Sequence, residues 1–400
     1  MHKQTVRDID LKGKRVLVRV DYNVPINDGV VGDTLRIEAS FETIKYLLDQ
    51  GCSIVLMSHL GRPDGKPDAK YSLKPVAAKA TELLNHEITF VADCVGKTAK
   101  AAVQGMAAGE IILLENTRFH TEEEANDPLF AKQLAAWGEV FVDDAFAAIH
   151  RAHASTEGVT HFLPSVAGLL VAKEVENILG ALEKPNRPLV AIVGGAKVSS
   201  KIEVLEFIIP KVDILMLGGA MANTFYLADG KKVGKSLVET DQVDEARRLV
   251  ALAAAEDTEL LLADEVVVSK SLTQPESVRT VNLDAVQDDD IIVDAAESFA
   301  SKLSPSVFEF LDFDHKCTVI WNGPIGVTEV PEFCAGSLAL AGAIVALPGE
   351  ISIIGGGDTA AFVNNAGRHD QFTWVSTGGG ASLELMSGKK LPGIEALLDK

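Results

Sequence analysis

Short apolar runs alternate with longer amphipathic stretches along nearly the whole chain, and this alternation limits the fold more than any other feature of the sequence. Strands that are buried on both faces read as continuous apolar runs, and strand–helix alternation is typical of parallel sheets covered by helices. The chain has 400 residues, whereas one hydrophobic core seldom serves more than roughly 250–300 residues. The pattern therefore predicts an α/β protein with two parallel sheets, one in each of two domains.

The predicted strands divide into an earlier and a later group. They are 15–20, 53–57, 111–114 and 140–142, followed by 189–193, 214–217, 259–262, 318–321, 351–354 and 372–375. Residues 35–50 and 72–85 predict helices between the early strands. A helix over 166–182 ends before Pro185 and Pro188, because proline cannot continue a helix. We place the link between the two domains at this helix.

The net charge of -20 argues against nucleic acid or an anionic membrane as the main partner. Residues 1–170 carry a net charge of -5, from 18 Lys and Arg against 23 Asp and Glu, whereas residues 171–400 carry -15. An anionic substrate is therefore expected in the first part of the chain. No apolar run approaches the roughly 20 residues of a membrane span, and the N-terminus lacks a signal-peptide pattern, so we expect a cytoplasmic protein.

The four cysteines, at positions 52, 94, 317 and 334, show no CxxC spacing and no metal-binding pattern. They predict unpaired thiols in a reducing compartment. His150 and His153 lack a third ligand at suitable spacing, so the sequence does not predict a metal site there.

Glycine clusters follow several strands of the second part, and a predicted helix begins after each. The clusters lie at 194–195, 218–219, 355–357 and 378–380, and Asn322-Gly323-Pro324 forms a further turn after a strand. Ligands of open parallel sheets bind at the carboxyl ends of the strands, where glycine lets backbone amides approach a phosphate. The alternative is that these glycines only make tight turns. Their repetition favours a nucleotide-binding crevice.

Lys197 and Lys201 are four residues apart just after one glycine turn, so on a helix they would share a face. They either contact a transferring phosphoryl group or cover a solvated helix surface. Asp358 follows three glycines and is either a helix N-cap or a ligand of nucleotide-bound Mg²⁺. A GxGxxG dinucleotide fingerprint is absent, which argues against an NAD-dependent dehydrogenase. The segment 230–236 has the wrong glycine spacing for a P-loop.

Charged and polar residues follow the strands of the first part. Arg62, Arg118, Arg151 and His59, with Arg36 from a helix, predict a pocket for a small polyanion, because arginine forks match carboxylate and phosphate oxygens. Asp21 and Asn23 would bind hydroxyl groups. The alternative is a set of surface arginines paired with nearby acids.

Eight long motifs occur in a fixed order: RVDYNVP, SHLGRP, ENTRF, DDAFAAIHRAHAS, GGAKVSSK, WNGPIGV, GGGDTA and STGGGASLE. The chain resembles phosphoglycerate kinases from end to end. The resemblance implies two Rossmann-like lobes joined by a linker helix and hinge. It implies an N-terminal lobe over 1–168 that binds the phosphoglycerate, a C-terminal lobe over 169–388 that binds Mg-ADP or Mg-ATP, and a segment 389–400 that returns to the N-terminal lobe.

The resemblance also implies the reaction, which is phosphoryl transfer between 1,3-bisphosphoglycerate and ADP with Mg²⁺, in a monomer. The matching substrate positions are Asp21, Asn23, Arg36, His59, Arg62, Arg118 and Arg151. The matching nucleotide positions are Gly195, Ala196, Lys197, Lys201, Gly219, Asn322, Glu329, Gly356, Gly357, Asp358 and Thr359, with Asp358 at the Mg²⁺ and Glu329 at the ribose. Gly378, Gly379 and Gly380 match a turn that holds the transferring group.

This chemistry agrees with the residues themselves. A carboxylate nucleophile is ionised at neutral pH and needs no general base, so catalysis rests on alignment and charge neutralisation. We expect Arg36, Lys197 and Lys201 to supply the charge, and the two lobes to close and exclude water. A non-catalytic protein on the same fold remains the rival hypothesis, because fold does not fix function.

Overall fold

The computed structural model describes residues 2–275, 277–311 and 316–400. The chain divides into two compact units. One contains the chain up to Glu176 together with Lys390–Lys400, and the other contains Asn177–Lys389. The boundary falls inside a helix, Leu169–Glu183. No helix in the described part of the chain is long and apolar enough to span a membrane.

From residue 2 onwards, the first unit contains eight strands and six helices before the boundary helix. The strands are β1 Arg15–Arg19, β2 Ile26–Asn27, β3 Val30–Val31, β4 Ser53–Met57, β5 Ile88–Val91, β6 Ile111–Leu114, β7 Val140–Asp143 and β8 Ser165–Ala167. The helices are α1 Leu35–Ala39, α2 Phe41–Asp49, α3 Lys74–Leu84, α4 Gly96–Gln104, α5 Thr121–Glu124 and α6 Pro128–Ala135, and the boundary helix is α7 Leu169–Glu183.

Six of these strands form one parallel sheet in the order β5-β6-β4-β1-β7-β8, and β2 and β3 form a small hairpin. Successive residues of the central strand point into different cores. Val16 and Val18 belong to one hydrophobic cluster, and Leu17 belongs to the cluster on the other face. The continuous apolar runs of the sequence are explained by this burial on both faces.

The described residues of the second unit contain nine strands. They are β9 Leu189–Val193, β10 Ile214–Leu217, β11 Glu259–Leu261, β12 Glu265–Ser269, β13 Arg279–Asn282, β14 Ile291–Ala295, β15 Cys317–Asn322, β16 Glu350–Gly355 and β17 Trp374–Val375. Its helices are α8 Ile202–Ile208, α9 Ala222–Ala228, α10 Val243–Ala255, α11 Glu297–Ala300, α12 Leu303–Phe310, α13 Ala335–Val345, α14 Gly357–Asn365 and α15 Gly379–Met386. A last helix, α16 Pro392–Glu395, lies in the C-terminal segment of the first unit.

The main sheet of the second unit is parallel with the order β11-β10-β9-β15-β16-β17. Numbered along this sheet, its strands follow the 3-2-1-4-5-6 order of the Rossmann fold, and the direction of winding reverses between β9 and β15. A separate antiparallel sheet has the order β13-β12-β14. A crevice at the carboxyl ends of β9 and β15 is therefore the expected ligand site.

The C-terminal segment is fixed to the start of the chain in the first unit. Lys3 Nζ lies 2.7 Å from Asp399 Oδ1, and the backbone amide of Gln4 donates to the carbonyl of Leu398. Leu397 is buried. Both termini thus contribute to the packing of one unit.

The predicted fold class is confirmed, and all ten predicted strands are present within one or two residues. The edge strand β5 was missed because it is only half buried and does not read as a continuous apolar run, and β8 was missed because it has only three residues. The antiparallel sheet was missed because its strands do not alternate with helices. The expected helix over 35–50 is two helices that break at Ser40, whose hydroxyl donates to the carbonyl of Ile37. The helix expected from 166 begins at Leu169, because 165–167 pairs with β7.

Candidate functional site

A cavity of about 460 Å³ lies at the carboxyl ends of β9, β10 and β15 in the second unit. One wall consists of strand-end turns and carries Gly195, Ala196, Gly219, Glu329 and Asp358, all of which the sequence had singled out. The opposite wall is apolar and comes from the antiparallel sheet. It includes Val266, Ile291, Ile292, Val293 and Ala295. The cavity is large enough for a small ligand and combines an apolar wall with backbone amides.

The glycines at these turns allow three backbone segments to meet. A Cβ on Gly219, whose φ is +70°, would lie 2.7 Å from the backbone N and O of Gly195 and 2.9 Å from the carbonyl of Pro324. A Cβ on Gly194 would lie 2.2 Å from that same carbonyl. Part of the alternative interpretation is therefore correct, since tight packing of the turns requires glycine here. The same packing forms the floor of the cavity.

Lys201 is joined to the end of β15. Its Nζ donates to Asn322 Oδ1 at 2.6 Å, and Asn322 is buried. Burial lowers the pKa of Lys201 to about 8, and the negative charge of Asp358 partly opposes this effect. Asp358 therefore lies close enough to Lys201 to act on it electrostatically. Lys197 is exposed in the same turn.

The expectation that Lys197 and Lys201 share a helix face is wrong. Residues 194–201 form an irregular turn, and α8 begins only at Ile202. Gly195 adopts a φ of +131°, a conformation that does not continue into a helix. The turn leaves Lys197 in solvent and directs Lys201 towards Asn322.

Two helices of the second unit begin side by side. The N-cap of α14 is Gly356, and Asp358 is the second residue of that helix, so the interpretation of Asp358 as a plain N-cap is wrong. A Cβ on Gly379, the first residue of α15, would lie 2.5 Å from the backbone N of Gly357. Unpaired amides of both helices thus lie close together and create a positive potential for an anionic group.

The remaining nucleotide candidates occupy distinct places around this site. Thr359 is buried, and its Oγ1 accepts a hydrogen bond from the amide of Gly323 at 2.8 Å. Glu329 is exposed at the cavity rim. Gly380 is exposed beside Gly379 at the start of α15. Thr359 therefore fixes the turn after β15, and Glu329 is free to contact a ligand in the cavity.

In the first unit, Arg36 is held against the first strand turn. Its Nη1 lies 3.0 Å from Asp21 Oδ2 and donates to the backbone carbonyl of Asn23, also at 3.0 Å. Asn23 Oδ1 accepts from the amide of Gly61 at 2.9 Å, which joins this turn to the one after β4. Arg36 is partly exposed, so the guanidinium is oriented and still accessible.

His59 is buried among arginines. Arg19 Nη2 lies 2.9 Å from His59 Nδ1, and a guanidinium can only donate, so Nδ1 is the acceptor and the proton is on Nε2. Burial, with the charges of Arg19 and Arg118 adding to it, holds the pKa of His59 well below its usual range. His59 is therefore a neutral donor at physiological pH.

Arg118 is also buried, and it contacts the same group of turns. Its Nη1 donates to the carbonyl of Gly61 at 2.9 Å, and its Nε lies 3.0 Å from a carboxylate oxygen of Glu124. Arg151 is exposed, with its Nε 3.1 Å from His150 Nε2. Arg62 is exposed at the turn after β4. The structure brings Arg36, His59 and Arg118 together around Gly61, whereas Arg62 and Arg151 reach out from the surface.

Arg19 was not among the site residues that the sequence predicted. Arg19 is buried in the last position of β1 and donates to Ser155 Oγ at 2.8 Å as well as to His59. An arginine at the end of a predicted buried strand could have indicated this role, because charged residues are rarely buried without a specific partner. The apolar wall from β12 and β14 was also missed, since its residues are distant in sequence from the glycine turns.

Comparisons with known proteins show which family this chain is similar to. The family model described as phosphoglycerate kinase matches residues 6–389. The phosphoglycerate kinase of Pelotomaculum thermopropionicum is 48% identical over 402 residues and covers 100% of both chains. The chloroplastic phosphoglycerate kinase of Volvox carteri is 48% identical, over 100% of this chain and 87% of its own. The structure of phosphoglycerate kinase from Coxiella burnetii has a TM-score of 0.86 and 38% identity, with 98% of each chain covered.

Proposed function

Since the family model and its full-length relatives span the chain, this protein belongs to the phosphoglycerate kinase family and is a phosphotransferase, and we propose that it transfers a phosphoryl group between 1,3-bisphosphoglycerate and ADP, giving 3-phosphoglycerate and ATP. The main support for the proposal is that each unit contains its own candidate site. One site suits a small anionic substrate, and the other suits a nucleotide. The first unit presents arginines with a neutral histidine, and the second presents a glycine-lined cavity.

The first unit is the proposed site of the phosphoglycerate. Arg36, Arg118 and the neutral His59 offer donors for carboxylate and phosphate oxygens, and Arg62 and Arg151 add accessible charge. Asp21 and Asn23 lie beside Arg36, where they accept hydrogen bonds from hydroxyl groups of the substrate. The net charge of residues 1–170 is less negative than that of the rest of the chain, which supports this assignment.

The second unit is the proposed site of ADP and ATP. The apolar wall of the cavity suits a purine base, and Glu329 at the rim suits the ribose hydroxyls. The cavity is also lined by Gly195, Ala196 and Gly219. The start of α14 is formed by Gly356, Gly357 and Thr359. Backbone amides at this helix start can bind phosphate oxygens without added side-chain charge.

Asp358 fits the Mg²⁺ that accompanies nucleotide phosphates, because it is an exposed carboxylate at the rim of the cavity and hard cations prefer oxygen ligands. When bound, this ion neutralises phosphate charge. Lys201 beside Asp358 adds a positive charge that Asn322 orients.

The transfer requires no general base in the reverse direction, because the acceptor there is a carboxylate that is already ionised at neutral pH. We assign charge neutralisation at the moving phosphoryl group to Arg36, Lys197 and Lys201, with the amides of Gly379 and Gly380 at the start of α15 assisting. Arg36 belongs to one unit and the two lysines to the other. In-line transfer therefore requires the lobes to close around the substrates and to exclude water. We propose that the enzyme works as a cytoplasmic monomer on these small molecules.

The test is turnover of 3-phosphoglycerate with Mg-ATP, coupled through excess glyceraldehyde-3-phosphate dehydrogenase to the loss of NADH. We expect rapid, enzyme-dependent NADH oxidation that requires both substrates. A folded protein that binds ATP without any turnover would establish the rival hypothesis of a non-catalytic member. Omission of 3-phosphoglycerate distinguishes phosphoryl transfer from simple ATP hydrolysis, which would release phosphate without oxidising NADH.

A further inference from the structure

Three side chains with metal-ligating atoms meet in the first unit, apart from the residues assigned to the substrate. Asp93 and Cys94 follow β5, and His120 follows the short 3₁₀ turn Thr117–Phe119 after β6. The strands β5 and β6 are paired in parallel, so their carboxyl ends bring these residues to the same edge of the sheet. We propose that Asp93, Cys94 and His120 bind a transition-metal ion, Zn²⁺ in particular.

The distances between the ligand atoms support this site. One carboxylate oxygen, the thiol sulfur and one imidazole nitrogen all lie within 4.8 Å of one another. His120 Nε2 and Asp93 Oδ1 are 3.3 Å apart. Two ligands that each bind tetrahedral zinc at roughly 2.0–2.1 Å are separated by about 3.3 Å, so one edge of the site already has the required length. In such a site the sulfur lies about 3.5 Å from the other two ligand atoms, so a movement on the order of 1 Å at most completes the other edges.

Neighbouring groups restrict how these side chains can move. The His120 ring packs on the Phe130 ring with centroids 5.1 Å apart. Asp93 Oδ1 accepts from the amide of Cys94 at 2.7 Å, and the carbonyl of Cys94 accepts from Trp137 Nε1 at 2.9 Å. Such contacts around the ligands orient them and lower the entropic cost of binding. The thiol is buried, whereas Asp93 and His120 are partly exposed, so an ion can reach the site from solvent.

The charge around the sulfur is negative. The carboxylates of Asp93, Glu123 and Glu115 act on the sulfur of Cys94 through their negative charge. This negative charge favours a cation at the same place. Binding breaks the S–H bond, forms the sulfur–metal bond and releases one proton to solvent.

The mixed set of sulfur, nitrogen and oxygen selects the type of ion. Mg²⁺ prefers oxygen ligands alone, whereas Zn²⁺ and Co²⁺ accept thiolate, imidazole and carboxylate together. Three protein ligands leave a fourth position for water. The competing interpretation is a hydrogen bond between Asp93 and His120 beside an uninvolved thiol, and this arrangement would not form a sulfur–metal bond.

The experiment uses the whole protein without nucleotide or substrate and titrates it with Co²⁺, a spectroscopic probe for zinc sites. We expect a cobalt–thiolate charge-transfer band at one equivalent, release of about one proton per ion, and loss of the band when Zn²⁺ is added. Cys94→Ser removes the band. His120→Asn, at a partly exposed position, weakens Co²⁺ binding by about 100-fold or more.

Cys52→Ser is the matched control, because Cys52 is also a free, buried cysteine but belongs to the hydrophobic cluster on the other face of the sheet. It should keep the band. If Cys94→Ser does not fold, His120→Asn still decides the question. No band in the parent protein, or an unchanged Co²⁺ affinity in His120→Asn, would overturn the proposal.

Discussion

Lys201 Nζ lies 2.6 Å from Oδ1 of Asn322, although 121 positions separate the two residues in the chain. The contact joins the turn after β9 to the end of β15, the two strands between which the sheet reverses its winding. It places a partly buried cation at the point where such sheets bind ligands. The reduced pKa of Lys201, about 8, follows from that burial.

We predict that nucleotide affinity falls as pH rises above about 8, because Lys201 then loses its charge. The sign follows from the lowered pKa: the lysine is charged below this value and neutral above it. Lys201→Arg keeps the charge at all accessible pH values and should show a flat profile between pH 7 and 9. ATP titrations monitored by calorimetry at several pH values measure this difference. Parallel profiles for the two proteins would contradict the prediction.

Replacing Arg36 with alanine should lower kcat for 3-phosphoglycerate phosphorylation by about 100-fold or more, as expected when one preorganised charge is removed from a transition state. Arg7→Ala is the control, because Arg7 lies in the same unit and packs over the Tyr46 ring, away from the assigned site. The coupled assay measures both variants. Equal rates for Arg36→Ala and the parent would remove Arg36 from the mechanism.

Asp358→Asn should raise the Mg²⁺ concentration needed for half-maximal rate by about tenfold or more, since an amide is a weaker ligand than a carboxylate for a hard cation. The rate is measured at fixed ATP while Mg²⁺ is varied. Asp370→Asn is the control, because Asp370 is exposed in the same unit and contacts His369. An unchanged Mg²⁺ dependence in Asp358→Asn would mean that another group holds the ion.

Gly219→Ala should destabilise the protein and abolish nucleotide binding, because its Cβ would lie 2.7 Å from the backbone of Gly195. Gly230→Ala is the control that separates backbone strain from overpacking by the added Cβ. Gly230 also has a positive φ, +79°, but a Cβ there meets nothing within 4 Å. The control should cost only about 1–2 kcal/mol of backbone strain, whereas Gly219→Ala adds about 1–3 kcal/mol from overpacking. Denaturant unfolding of both variants gives the comparison, and equal losses would show that crowding contributes nothing.

The three buried aspartates Asp143, Asp144 and Asp294 should make the free energy of unfolding fall as pH rises from about 4 to 7, against an opposite contribution from His59 and His153, whose pKa values are lowered by burial. Burial raises the pKa values of Asp143, Asp144 and Asp294 from 3.8 to about 7, so in this range the folded state binds more protons than the unfolded state. Asp144→Asn should make the slope shallower, because Asn cannot titrate and its Oδ1 can still accept from the amide of Leu170. Asp49→Asn, at an exposed position, is the control. A slope of the same size in Asp144→Asn would contradict the assignment.

The sequence determined the parts of this protein that depend on neighbours along the chain. Apolar runs identified ten of the twelve described strands of the two parallel sheets, and glycines after strands located the cavity, because each signal lies within a few residues. The eight motifs identified the family, which the comparisons confirm. The four-residue spacing of Lys197 and Lys201 wrongly suggested a helix. Residues 194–201 form a turn, because the positive φ of Gly195 prevents a helix there.

Only the tertiary structure determined the contacts between residues that are distant in sequence. It placed Arg19 against His59 and thereby fixed the imidazole proton on Nε2. It placed the antiparallel sheet opposite the glycine turns, and it brought Cys94 to His120, although the cysteine spacing had predicted no metal site. These outcomes depend on strand order and on burial, which shifts pKa values by removing water from charged groups. Neither strand order nor burial can be read from a local stretch of sequence.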